Sequence, residues 1–145
     1  MSRFALISAV AIVMLNACGS SPSRQQVDTL RLVRQADTNY QSGRYDLARP
    51  QYEALVAANS RFTQGYVRLG VIAWHEGDLP AATSRFEAAL RIDPHYEQAA
   101  YNLAMLRLND AASLLEAYVD ASPPAANREP VLVLLGQLKA FGARQ

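Results

Sequence analysis

The 145-residue chain sets fourteen Lys and Arg against thirteen Asp and Glu, is half hydrophobic, and holds a single cysteine. A balance this close to neutral, with no basic stripe or polybasic run, argues against nucleic acid or an anionic lipid surface as partner. One thiol excludes an internal disulfide and a thiolate metal site, so stability has to come from packing.

In chain order, the first predicted element is an export signal over 1–17, MSRFALISAVAIVMLNA. Arg3 is its one charge, Phe4–Leu15 is an uncharged apolar run with small residues mixed in, and small residues close it, as such signals require. As a helix the run would span roughly 18 Å, too short for a bilayer core of about 30 Å. Without it, thirteen basic and thirteen acidic residues remain on about 128 residues, the size of one domain.

Leu15-Asn16-Ala17-Cys18 follows directly, and it resembles the lipobox of bacterial lipoproteins: an aliphatic residue three before Cys, a tolerated residue, a small one, then Cys. The resemblance implies a diacylglyceryl (palmitate-type) anchor on Cys18, cleavage just before it, and acylation of the new amine. Three acyl chains at about 0.8 kcal/mol per buried CH₂ hold a domain at a membrane far better than one. The rival reading is a secretory signal with an incidental Cys. Gly19 stands where an inner-membrane retention Asp would be, so for a Gram-negative host the expected location is the outer membrane, facing the periplasm. One Lys against thirteen Arg is compatible with a GC-rich genome. Residues 18–28, including the polar Ser20–Gln26, are expected to form a lipidated Cys and short tether.

From residue 29 the chain repeats itself with a period of 34. Val33 matches Val67, Arg34 matches Arg68, Gly43 matches Gly77, Ala48 matches Ala82, Glu53 matches Glu87 and Ala54 matches Ala88. The predicted units are 29–62, 63–96 and 97–123. In the second, Gly77-Asp78 ends one helix and caps the next, Pro80 sits in a first turn that has no N–H bond to lose, and Pro94 stops the second helix. In the first, Pro50 lies inside the second helix, where a bend is expected. The third is about five residues short: Asn109-Asp110 leads directly into Ala111–Val119, although Leu115 to Pro123 keeps the Phe86 to Pro94 spacing. Residues 124–145 predict a capping helix after Asn127, with Val131, Leu134, Leu135, Leu138 and Phe141 on its packing face.

The second unit reads Tyr66-x-x-Leu69-Gly70-x-x-Ala73, then Ala82-x-x-x-Phe86, Ala89 and Pro94. This resembles the tetratricopeptide repeat (TPR) family. The first unit is looser, with Gln35 for Leu and Ser60 for Pro, and Leu103-Ala104 stand for Leu-Gly in the third. The resemblance implies an all-α fold: an α-solenoid of about three TPR-like helical hairpins with a C-terminal capping helix. Gly70 and Ala82 let paired helices approach, Phe86 fills the space beside them, and Tyr45, Tyr52, Leu90 and Leu103 are expected in the core.

The chain carries no pattern for chemistry. HEGDL at 75–79 lacks the second His of a zinc-protease motif, His95 stands alone, and no nucleophile elbow or Gly-rich phosphate loop occurs. No catalytic residue, cofactor or metal is predicted, and no enzyme. Asp37 is the one titratable residue expected in the groove.

In this family the first helices line a concave surface that holds protein segments. By that resemblance the groove comprises Tyr40, Val67, Val71, Trp74, Tyr101, Asn102, Met105 and Leu108, flanked by Val33, Asp37, Gln64 and Gln98. Aromatic and Met residues in such a place suit an apolar partner segment. Tyr40 and Trp74, 34 residues apart, suit packing between hairpins equally well. A terminal-carboxylate clamp is disfavoured, since Val33 and Asp37 stand where its Lys and Asn would be. The expectation is a lipid-anchored, periplasm-facing adaptor that assists assembly of an envelope complex such as a pilus or secretion channel. A scaffold recruiting peptidoglycan enzymes is the alternative.

Overall fold

The computed structural model describes residues 23–121 and 128–142. Six helices fill them in chain order: α1 (Arg24–Gln41), α2 (Tyr45–Ala58), α3 (Thr63–His75), α4 (Leu79–Ile92), α5 (Glu97–Ala121) and α6 (Arg128–Gly142). Each packs on the next, and α3 also touches α5, so the chain is an all-α solenoid. The segment 1–17, Cys18, Pro123 and the expected Asn127 cap lie outside the described residues.

Local chemistry sets the helix ends. Ser23 starts α1 with a capping box: the Gln26 amide donates to Ser23 Oγ at 3.3 Å while the Ser23 amide donates to Gln26 Oε1 at 2.9 Å. The helix therefore begins inside the stretch expected as tether, because SRQQ satisfies two orphan amides at once. Gly43 and Gly77 close the two hairpin turns at φ +70° and +79°, a conformation that costs residues with a Cβ about 1–2 kcal/mol. After the second turn the Ala81 amide donates to Asp78 Oδ1 at 3.0 Å. α2 runs on through Pro50, which leaves one carbonyl of the preceding turn without its amide donor.

The third unit departs from the expected hairpin. α5 is one continuous helix of 25 residues, straight through Asn109-Asp110. The two real turns each use a Gly at positive φ, and no Gly or Pro lies between Glu97 and Ala121, so nothing there ends the helix. α6 takes the neighbouring place instead.

Two apolar clusters hold the stack. Ala36, Ala48, Tyr52, Leu55, Val56, Leu69 and Ile72 join the first hairpin to α3. Val67, Ala73, Ala82, Phe86, Ala89, Ala99 and Leu106 join the second hairpin to α5. Tyr52 and Phe86 are fully buried, and Tyr45, Leu90 and Leu103 are half-buried against the clusters. Phe86 lies so close to Gly70 that a Cβ there would fall 2.5 Å from its ring.

The capping face is narrower than expected. Leu135 is buried, Val131 and Leu138 are half-buried, and Leu134 and Phe141 are exposed. A single partner helix covers one stripe, and Leu134 and Phe141 fall about 100° or more away from Leu135 around the axis.

Candidate protein-binding groove

A groove of about 610 Å³ opens between α3, α5 and α6. Trp74 comes from the last turn of α3, Tyr101, Met105 and Leu108 from successive turns of α5, and Leu138 and Phe141 from the end of α6. The i, i+4, i+7 spacing of the α5 residues puts all three on one helical face. Trp74 is half-buried and also packs on the second core cluster, so its ring belongs both to the stack and to the groove wall.

The lining is close to electrically neutral. Its charged members are Glu116 and Lys139, which pair with each other at 2.6 Å across the α5–α6 contact. Both are substantially exposed, so solvent screens the pair, and its main effect is to position the wall rather than to add stability. Asn109 and Ser113 add neutral polar atoms, and the Ser113 hydroxyl donates to the Asn109 carbonyl at 3.1 Å.

The other residues expected in the groove go elsewhere. Val67 is fully buried in the second cluster and offers nothing to a partner: closely spaced first helices bury this position. Val71 is half-buried against the same cluster, and Asn102 is half-buried outside the groove lining. Tyr40 sits in a separate aromatic group on the first hairpin, edge-on to Tyr52 at 6.2 Å and tilted to Tyr45 at 5.6 Å. Arg68 lies over its ring at 4.4 Å, a cation–π contact joining α1 to α3. Leu138 and Phe141 were missed as groove residues, because a helix assigned to capping was read as facing the stack alone.

Asp37 is held in packing. The Tyr52 hydroxyl donates to Asp37 Oδ1 at 2.6 Å. Burial pushes the Tyr52 phenol far above its ordinary value, and the bond to the Asp37 carboxylate and its charge push it further, against a smaller opposing effect of Arg68. His75 stacks on Tyr45 at 5.0 Å. Among the described residues no three His, Cys, Asp or Glu side chains gather where they could hold a metal ion. No described helix is long and apolar enough to cross a membrane.

Two stacked helical hairpins, followed by α5 and α6, leave an apolar groove between α3, α5 and α6. Residues 33–97 match the family model described as tetratricopeptide repeat, which supports a TPR protein. That match spans most of α1 through α4 and stops at the first residue of α5, where the regular hairpin period also stops. No curated protein matches the chain. The family is typically a non-catalytic protein-interaction repeat, so its members act by holding protein partners.

Proposed function

We propose that this chain is a lipid-anchored adaptor at the outer membrane, facing the periplasm, that holds an apolar segment of a partner protein while an envelope complex such as a pilus or secretion channel assembles. The observation that carries the reading is the groove itself: Trp74, Tyr101, Met105, Leu108, Leu138 and Phe141 converge on about 610 Å³ whose two charges neutralise each other. A segment entering it buries apolar and aromatic side chains without stranding a charge. The sequence LNAC at 15–18 supports the anchor, and Gly19 supports outer-membrane sorting.

In-cell crosslinking and affinity recovery of the full-length chain test this, with Cys18→Ala and Trp74→Ala as controls. The expected result is recovery of a channel or pilus subunit that Trp74→Ala reduces about tenfold or more, the loss typical of a central aromatic anchor. Cys18→Ala should abolish recovery in the membrane fraction. Peptidoglycan enzymes in place of that subunit would replace assembly with scaffolding. Recovery unchanged by Trp74→Ala, with helicity intact, would remove the groove from the mechanism.

A further inference from the structure

At the other end of the stack, the first two turns of α1 stand clear of the packed core. Every residue from Arg24 to Arg31 is exposed, and the half-buried Leu32 and Val33 and the buried Ala36 and Asn39 come only further along. Val27, Leu30, Arg31 and Arg34 follow i, i+3, i+4, i+7 spacing, and Arg24 lies one turn before Val27, so the five share one face. Ala36, which packs into the first cluster, lies nine residues from Val27 and so on the opposite side of the axis. Val27 and Leu30 are 40% and 54% exposed. Within α1, Asp28 borders this face and approaches Arg31 at 3.9 Å, while Asp37 lies on the packing side, bound to Tyr52. Arg24 and Arg34 have no carboxylate partner among the described residues. Along the chain these arginines form no basic run; the helix gathers them.

We propose that this face lies on the membrane surface that receives the Cys18 anchor, with Arg24, Arg31 and Arg34 on anionic lipid headgroups and Val27 and Leu30 at the edge of the acyl region; this rests on the anchor reading above. Two observations choose this occupant. The first is reach. Cys18 stands five residues before the Ser23 cap, and five residues span at most about 17 Å however they run. With a headgroup layer about 6 Å deep, α1 begins no more than about 11 Å beyond it, close to one Debye length. The second is charge: three arginines against one bordering carboxylate complement lipid phosphates. Three charges and two apolar side chains bind weakly from free solution, which agrees with the near-neutral total. The anchor removes that obstacle by holding the face at a high local concentration of lipid. Docked in this way, α1 fixes which side of the solenoid meets the lipid, while the groove is built from the later helices α3, α5 and α6.

The full-length lipidated chain in vesicles tests the contact. Acylation consumes the native thiol, so Val27→Cys carries the one environment-sensitive fluorophore, and Ser84→Cys, at an exposed position of α4, carries it in the control chain. In vesicles of phosphatidylglycerol and phosphatidylcholine at about 3:7, the Val27→Cys label should shift to the blue and the Ser84→Cys label should not. Arg24→Glu with Arg34→Glu, both exposed and unpaired, should lower the docked-to-free ratio about tenfold or more with helicity unchanged. Salt at about 0.5 M should weaken docking in the same direction. An acylated chain whose Val27→Cys label stays in water overturns the proposal, as do equal shifts at both sites or a shift that the glutamates leave intact. So does a shift that grows with protein density on the vesicle, which would give the face to a second copy. Mass spectrometry reads the acyl groups separately: a chain without them removes the anchor reading and this one together. None of these substitutions touches a groove residue, so failure here leaves the groove reading standing.

Discussion

Replacing Gly70 by Ala tests the packing that defines the hairpins. A Cβ at this position would lie 2.5 Å from Phe86 Cε1, 2.8 Å from Cδ1 and 2.9 Å from Cζ. Carbon atoms rest at about 3.5–4.0 Å, so the ring or the helix has to retreat by about 1 Å. Phe86 is fully buried in the cluster that holds Ala73, Ala82 and Ala89, so its retreat has to displace packed neighbours. Overpacking of this kind costs about 1–3 kcal/mol, while exchanging Gly for Ala inside a helix favours folding by about 1 kcal/mol. The two effects together give a net loss of up to about 2 kcal/mol. Gly136 provides the contrast: no atom lies within 4 Å of a Cβ there, so Gly136→Ala should leave stability unchanged or raise it. Urea unfolding followed by far-ultraviolet circular dichroism reads both. Shortening the ring with Phe86→Leu should recover about 1 kcal/mol of the Gly70→Ala loss, a coupling that only direct contact produces. A Gly70→Ala chain more stable than the parent, which the propensity gain alone would give, would refute the close approach of α3 and α4.

Other expectations follow from single contacts. Because the folded-state value of the Tyr52 phenol is raised above its ordinary value near 10, stability is fully present below pH 10 and is lost as pH rises beyond it; Tyr52→Phe should flatten that alkaline loss in urea midpoints between pH 9 and 11.5. Gly77→Ala meets no neighbouring atom but places a Cβ at φ +79°, so it should destabilise by about 1–2 kcal/mol through backbone strain alone. Gly77→Asn, which tolerates this conformation, should destabilise less in the same assay. Leu135→Ala removes the buried anchor of α6 and should speed amide hydrogen exchange throughout that helix while leaving α3 and α4 protected; uniform loss of protection would mean that α6 is part of the cooperative core.

The features legible from sequence were those with a local physical cause. Gly43, Gly77, Asp78 and Pro80 each act within a turn, so the two hairpins could be placed from the chain alone. The small positions Gly70 and Ala82 and the large Phe86 repeat with the period, so the tight pairing was legible too. Where the period failed, so did the sequence reading. The spacing from Leu115 to Pro123 suggested a second helix, but spacing describes which residues face a neighbour, not whether the chain turns to provide one. A turn needs a residue that leaves the helix cheaply, and Asn109-Asp110 followed by Ala111-Ala112 has no Gly to do so. Continuing the helix keeps a backbone hydrogen bond at each residue, so α5 runs straight and α6 moves in beside it. The groove inherits this outcome. In a regular hairpin the second helix packs on the far side of the first, leaving the concave surface to Trp74, Tyr101, Met105 and Leu108. With α5 uninterrupted, α6 closes that surface at one end, bringing Leu138 and Phe141 into the lining and Lys139 within reach of Glu116. The same missing turn strips cover from Leu114 and Tyr118. The absent glycine thus accounts for the shape of the groove.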